Sequence, residues 1–176
     1  DKISNIIKES LKNNNFNEGL ASLDKLLEKY PKNLVLNTTK VEFLSYFNKF
    51  NDALDLANKF LEISPKNYPL SISKSQILLN MGQYFESEEI IRDQLLRKND
   101  SPELWFMLSE TQKTSQNIVG YHQSRAEYFL LLGQDEKALN QLEFALQLTQ
   151  NNFQVSDRIM TKIIEIKKSL QNSRGL

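Results

Sequence analysis

Three observations predict that this chain is an all-α protein built from paired antiparallel helices stacked as a solenoid. Glycine and proline are scarce, at five and four among 176 residues, so few positions interrupt a helix. Apolar residues recur at helical spacing along nearly the whole chain. Equivalent positions in the first half are also separated by a constant step, since Pro31 and Pro65 lie 34 residues apart and each opens a Pro-Lys-Asn triplet. A step of this length accommodates two helices and their turns.

The repeating unit contains an aromatic residue, a small residue three positions later and a closing proline. The aromatic column is Phe16, Phe50 and Tyr84, and the small column is Gly19, Ala53 and Ser87. Small residues at these positions allow the two helices of a pair to approach closely. The pattern resembles the tetratricopeptide repeat. That resemblance implies a stack of helix pairs that binds other proteins.

Ten helices are predicted from the apolar spacing and the turn residues. In chain order they cover residues 2–13, 16–29, 33–48, 51–63, 69–81, 84–98, 102–115, 118–132, 135–149 and 154–171. Pro31 and Pro65 end the second and fourth helices, because a proline ring cannot continue the hydrogen-bond ladder. Pro69 opens the fifth helix, and Ser101-Pro102 supplies an N-cap and a first-turn proline for the seventh.

The repeat register is predicted to slip by half a unit near residue 117. Gly82 ends a first helix of a pair in the regular register, whereas Gly133 and the following Ala138 stand half a repeat out of step. The simplest interpretation is that the helix 118–132 belongs to two pairs. The whole chain, 1–176, is then one solenoid with repeats at about 1–33, 34–67 and 68–100, a half repeat at 101–117, and a repeat at 118–152.

The last helix, within 153–171, is predicted to cap the stack. Ile159, Ile163, Ile166 and Leu170 form one apolar stripe at spacings of four, three and four. The opposite face carries charged residues, namely Asp157, Lys162, Glu165, Lys167 and Lys168. An amphipathic terminal helix of this kind closes the exposed end of a solenoid.

Composition argues against several broad classes of function. Lysine and arginine total 22 and so do aspartate and glutamate, and the zero net charge argues against a general affinity for nucleic acid or for a membrane surface. No apolar run approaches the length of a membrane span. Cysteine is absent, which is compatible with any compartment. Because the sequence starts at Asp1 without a methionine, we expect further chain upstream.

The sequence holds no recognisable catalytic or metal-binding constellation. His122 is the only histidine and there is no cysteine, so the usual zinc ligands cannot be assembled. No nucleotide-binding loop or catalytic-serine motif is present. We therefore expect this chain to be no enzyme and to need no cofactor, with His122 in a packing or capping role.

Partner-binding residues are predicted from the inward positions of the first helix of each pair, which line the concave face of such stacks. These positions are Lys8 and Lys12, then Thr38, Glu42 and Tyr46, then Gln76 and Asn80, then Phe106, Glu110 and Lys113. The basic and amide groups among them are too dispersed to predict a site for a peptide's terminal carboxylate. Tyr46 is the member of the cluster Phe43, Tyr46, Phe47 and Phe50 that we expect at the surface.

One segment resembles a more specific family. Residues 120–129 read Gly-Tyr-His-Gln-Ser-Arg-Ala-Glu-Tyr-Phe, and Gly133 and the run Ala138-Leu-x-Gln-Leu-x-x-Ala-Leu follow. Over about residues 117–170 this resembles the C-terminal repeat domain of BepA-like periplasmic zinc metallopeptidases. The resemblance implies that Arg125, Glu127 and Tyr128 pack against a protease domain or shape a groove.

The same resemblance implies a periplasmic location and a parent enzyme whose zinc is held by a His-Glu-x-x-His site in a separate protease domain. The repeat domain would then hold protein partners, including outer-membrane assembly machinery and its clients. Three alternatives stay open: a free-standing adaptor, a self-associating scaffold, and an enzyme in its own right.

Overall fold

The computed structural model describes residues 2–149 and 151–174 and contains ten α-helices there, with no strand. The helices are α1 (Lys2–Lys12), α2 (Phe16–Lys29), α3 (Leu34–Tyr46), α4 (Phe50–Ile63), α5 (Tyr68–Asn80), α6 (Tyr84–Arg97), α7 (Pro102–Thr114), α8 (Ile118–Leu131), α9 (Asp135–Leu148) and α10 (Phe153–Arg174). All ten predicted helices are present with ends shifted by three residues at most, so the predicted all-α fold class is confirmed.

Helix starts repeat with the period seen in the sequence. The side chains of Asn33, Asn67 and Ser101 each accept a hydrogen bond from the backbone N–H three residues later, at the starts of α3, α5 and α7. These three caps are 34 residues apart. Each satisfies an amide that the first helical turn leaves without a partner.

Backbone turns repeat with the same period and then depart from it. Asn14, Asn48, Gly82 and Gln116 all have positive φ, between 54° and 78°, and stand 34 residues apart. The next such residue, Gly133 with φ 67°, follows after half that step. The turn before α8 is therefore of the kind that precedes the second helix of a pair, and the turn after α8 is of the kind that follows the first helix of a pair. This agrees with the interpretation that α8 belongs to two pairs, although the repeat boundaries themselves stay a prediction.

The chain divides into two compact units, Asp1–Gln83 and Tyr84–Leu176. The prediction that 1–176 forms one continuous stack is not tested by this division. In the first unit, consecutive helices pack on each other and α3 also contacts α5. Its core consists of fully or almost fully buried residues from α3, α4 and α5: Val41, Leu44, Ala53, Ala57, Phe60, Leu70 and Ile77.

The second unit contains α6 to α10, each packed on the next. One apolar core cluster of this unit lies between α8, α9 and α10 and is formed by Ala126, Ala138, Leu142, Ala145, Ile159, Ile163 and Ile166. The predicted isoleucine stripe of the last helix therefore faces inward, as expected.

A buried polar network joins α6, α7 and α8 inside the second unit. Gln112 on α7 is only 1% exposed. Its amide nitrogen donates to the Glu88 carboxylate at 3.0 Å, and its amide oxygen accepts from the Ser124 hydroxyl at 2.7 Å. Glu88 also pairs with Arg92 at 2.6 Å. Each polar atom of the glutamine has a partner, which makes its burial tolerable.

The outer face of α10 is less polar than the sequence analysis expected. Phe153, Met160 and Ile164 are 83%, 44% and 50% exposed on this helix. Lys162, assigned above to the charged outer face, instead forms an ion pair with Glu127 of α8. The apolar stripe and the charged residues of α10 are both present, but the helix carries exposed apolar side chains as well.

Candidate partner-binding face

One side of α7 is exposed because its opposite side supplies core residues. Leu104 and Leu108 are fully buried, whereas Phe106 is 41% exposed, Lys113 is exposed and Glu110 is half-buried. These last three positions are three and four residues apart, so they occupy one helical face. All three were predicted as partner-binding residues, and the structure places them together at the surface of the second unit.

Helix α8 contributes a parallel stripe beside this face. Tyr121, Arg125, Tyr128 and Leu132 follow each other at spacings of four, three and four along α8 and its C-cap. The first three are half-buried and Leu132 is 43% exposed. We call the surface formed by Phe106, Glu110, Lys113 and this stripe the α7–α8 face.

Arg125 lies at the centre of the α7–α8 face, among aromatic rings. Its guanidinium carbon is 5.1 Å from the ring centres of Phe106, Tyr128 and Phe129. The rings of Phe106 and Tyr128 are themselves 5.5 Å apart. A guanidinium is attracted to the negative faces of such rings, so this arrangement holds the cation in place. Its Nη1 nitrogen is nevertheless buried without a hydrogen-bond acceptor.

An open groove of about 400 Å³ lies on the same two aromatic rings. Its lining comes from the first turns of α7 and the end of α8: Pro102, Glu103, Phe106, Met107, Tyr128 and Leu132. Most of these side chains are apolar, and Phe106 and Leu132 remain accessible to solvent. The groove can accept an apolar side chain, because removing such a side chain from water is favourable.

The rim of the groove carries one acidic group with a shifted pKa. Glu103 accepts a hydrogen bond from the Ser101 hydroxyl at 2.8 Å, and this bond, followed by a backbone contact, lowers the pKa of the Glu103 carboxyl. Because Glu103 stands in the first turn of α7, its negative charge also suits the positive end of the helix dipole.

The α7–α8 face continues onto α9 through His122. The imidazole Nδ1 is 2.8 Å from the side-chain oxygen of Gln141, and the ring lies 5.5 Å from that of Phe144, which is 50% exposed. His122 therefore has the packing role that the sequence analysis predicted, joining α8 to α9.

The predicted binding residues of the first unit lie mostly at its surface but make internal contacts. Glu42 on α3 accepts a hydrogen bond from Ser73 of α5 at 3.2 Å. Thr38 uses its hydroxyl to donate to the carbonyl of its own helix at Leu34. Tyr46 is 60% exposed, as expected, with its hydroxyl 3.5 Å from the carbonyl oxygen of Leu11.

The remaining predicted residues divide between surface and packing. Lys8 and Lys12 are exposed on α1, and Gln76 donates a hydrogen bond to Asn80 at 3.3 Å along the exposed side of α5. In the second unit, Glu127 is directed to the α10 side of α8 by its ion pair with Lys162 and lies apart from the groove residues.

Four residues of the α7–α8 face, its groove and the adjoining part of α9 were not singled out from the sequence: Met107, Tyr121, Leu132 and Phe144. The spacing of four, three and four through Tyr121, Arg125, Tyr128 and Leu132 was a readable signal for the α8 stripe. Met107 and Phe144 had no such signal, because their exposure depends on how neighbouring helices pack.

Within residues 2–149 and 151–174, no group of three or more histidine, aspartate or glutamate side chains is placed to hold a metal ion. None of the described helices has the length and apolar character needed to cross a membrane.

Comparisons with known proteins establish the fold. No family profile matches the sequence, and no protein of curated function is detectably similar to it. Among solved structures, MamA from Desulfovibrio magneticus RS-1 is similar with a TM-score of 0.63 at 14% identity, covering 95% of this chain and 94% of MamA.

Two further structures are described as tetratricopeptide-repeat proteins. The one from Parabacteroides merdae ATCC 43184 gives a TM-score of 0.56 at 14% identity and covers 90% of this chain and 68% of its own. TTC0263 from Thermus thermophilus gives 0.50 at 18% identity, covering 90% and 78%. At these identities the likeness concerns the fold. The chain has the all-α helix-pair fold of tetratricopeptide-repeat proteins.

Proposed function

We propose that this chain is a protein-interaction module that binds an extended segment of a partner protein on the α7–α8 face. The observation that carries the proposal is the exposed Phe106 ring beside an apolar groove of about 400 Å³. A few well-packed residues carry most of the binding energy of a protein interface, and aromatic side chains are enriched among them.

The shape and charge of the face favour a polypeptide over other ligands. The groove is open to solvent along its length, whereas small-molecule sites usually enclose most of their ligand. Both charge signs occur around it, with Glu103 and Glu110 on α7 and Arg125 on α8. A nucleic-acid surface would need a cationic excess to replace the counterions of the phosphates, and the chain has none.

The more specific proposal is that the chain belongs to a periplasmic BepA-like zinc metallopeptidase as its non-catalytic C-terminal domain. It rests on the sequence resemblance of about residues 117–170. Zinc and the hydrolytic step would belong to a separate protease domain. This chain would raise the local concentration of a client near that domain. Its partners would then be outer-membrane assembly machinery and its clients.

The sequence of the full-length gene tests whether this chain is part of a zinc metallopeptidase. A His-Glu-x-x-His motif upstream of residue 1 supports the metallopeptidase parent, and a complete reading frame without one refutes it. In the second case the chain is an adaptor without an enzymatic parent. A mass above that of the monomer in light scattering would instead indicate a self-associating scaffold.

The binding face is tested by selecting peptides from a random display library on the purified chain and measuring their affinity by fluorescence anisotropy. We expect Phe106→Ser to weaken the binding of the selected peptides by more than about tenfold, the loss of affinity typical of removing an aromatic anchor. Phe153→Ser is the matched control, because Phe153 is 83% exposed on α10 and does not line the groove.

Equal losses in the two variants, or none in Phe106→Ser, would remove the α7–α8 face from the proposal. Circular dichroism of both variants shows whether helix content is preserved.

A further inference from the structure

We infer that Arg125 selects the partner by binding an acidic side chain that neighbours an apolar residue seated in the groove. The inference rests on the proposed function and narrows it. The recognised segment would contain an internal aspartate or glutamate close in sequence to a large apolar residue.

Arg125 has a buried hydrogen-bond donor for which no described residue supplies an acceptor. Four other cations of the second unit do pair with carboxylates: Arg92 with Glu88, Arg97 with Asp93, Lys162 with Glu127 and Lys167 with Glu143. Among the described residues, the buried Nη1 of Arg125 has no hydrogen-bond acceptor.

Aromatic rings stabilise the charge of Arg125 but leave its hydrogen bond unmade. The three rings at 5.1 Å attract the guanidinium, yet a ring face does not replace an oxygen acceptor for the buried N–H. A native buried donor without a partner calls for an explanation. A carboxylate from outside the chain would supply the missing acceptor with the geometry that guanidinium groups bind best.

Two side chains contact both the groove and the arginine, so filling the groove affects the surroundings of the Arg125 guanidinium. Phe106 and Tyr128 line the groove and also contact the guanidinium of Arg125. Since Phe106 is 41% exposed, its ring has room to move when an apolar side chain enters. Because this ring lies 5.1 Å from the guanidinium carbon of Arg125, its movement changes the surroundings of Nη1 next to the seated residue. An adjacent acidic side chain is then placed to accept from it.

Other charged groups of the face are less suited to this role. Lys113 is exposed and its ammonium lies 5.9 Å from the Tyr121 ring centre, so its hydrogen-bond donors are accessible to solvent. Glu103 and Glu110 occupy α7 and would repel an acidic group placed over that helix. Electrostatics therefore directs the acidic residue of the partner to the α8 side of the groove, where Arg125 stands.

The experiment selects random display peptides with amidated C-termini on the purified chain, so that no terminal carboxylate competes. We expect enrichment of aspartate or glutamate within a few positions of an aromatic or large aliphatic residue. In the best selected peptide, changing that acid to its amide should weaken binding to the unaltered chain by about tenfold, as expected for one charge-assisted hydrogen bond.

The matched variants are Arg125→Gln and Arg125→Lys. Arg125→Gln should abolish the difference between the acid and amide peptides while retaining their apolar preference, and Arg125→Lys should restore part of it. Apolar peptides with no acidic preference would overturn the role of Arg125 while leaving the binding module intact. Failure to select any peptide above a blank surface would refute the proposed function together with this inference.

Discussion

The buried glutamine of α7 offers the sharpest test of how the second unit is held together. In Gln112→Leu, a side chain of similar size replaces the amide that bridges Glu88 and Ser124. Glu88 keeps its ion pair with Arg92, so its carboxylate is not left alone. The Ser124 hydroxyl, on a residue only 3% exposed, loses the acceptor that the structure gives it.

The expected loss of stability follows from these contacts. A neutral hydrogen bond contributes about 1 kcal/mol net and one to a charged group about 2 kcal/mol. Leucine recovers about 1 kcal/mol because it adds buried apolar area. The free energy of unfolding of the second unit should therefore fall by about 2 kcal/mol. The double variant Gln112→Leu/Ser124→Ala should regain about 1 kcal/mol, because it removes the hydroxyl that lacks a partner.

Trp105 provides the assay, because it is the only tryptophan and lies on α7. Urea unfolding followed by its fluorescence reports the second unit, and the change in midpoint at constant slope gives the loss. A loss below about 0.5 kcal/mol for Gln112→Leu, or a double variant less stable than the single one, would refute the role assigned to the network.

Two further predictions concern the first unit and the groove rim. Gly19→Ala should lower the stability of the first unit by about 1–3 kcal/mol, because a Cβ there would contact the Phe43 ring and come within 2.9 Å of the Ser10 Cβ. Thermal unfolding followed by circular dichroism measures this loss of stability, and an unchanged unfolding midpoint would contradict the prediction. Ser101→Ala should raise the pKa of the Glu103 carboxyl towards its ordinary value, since the Ser101 hydroxyl is the main cause of the lowering. A lowered pKa stabilises the folded chain at neutral pH, and that contribution is lost as the pH falls through the folded-state pKa. The variant lacks most of this contribution, so it should lose less stability on acidification. NMR titration of Glu103 checks the shift, and a pKa equal to that of the unaltered chain would contradict it.

Most of the fold could be read from the sequence because helix ends depend on local chemistry. Asn33, Asn67 and Ser101 cap helices through contacts three residues away, and glycine adopts positive φ at Gly82 and Gly133 without a steric penalty. The turns at Asn14, Asn48 and Gln116 have the same backbone conformation, but no glycine marks them. Only their position in the period connects them with Gly82.

The candidate binding face could be predicted only in part, for a physical reason visible in α8. Helical spacing placed Phe106, Glu110 and Lys113 on one face, and that placement is local geometry. Whether a residue on such a helical face contacts solvent, an aromatic ring or an opposite charge depends on the neighbouring helix. Glu127 illustrates this, since its carboxylate meets Lys162, which is 35 residues away in the chain.

By itself, the sequence determined the helices, their order and the half-step at α8, because periodicity, caps and turn residues act within a few positions along the chain. Packing between helices decided what the period could not. A glutamine bridges α6 to α8, the last helix keeps exposed apolar residues, and the Arg125 guanidinium lies among three aromatic rings. These features join residues from different helices, so they exist only once tertiary contacts have formed.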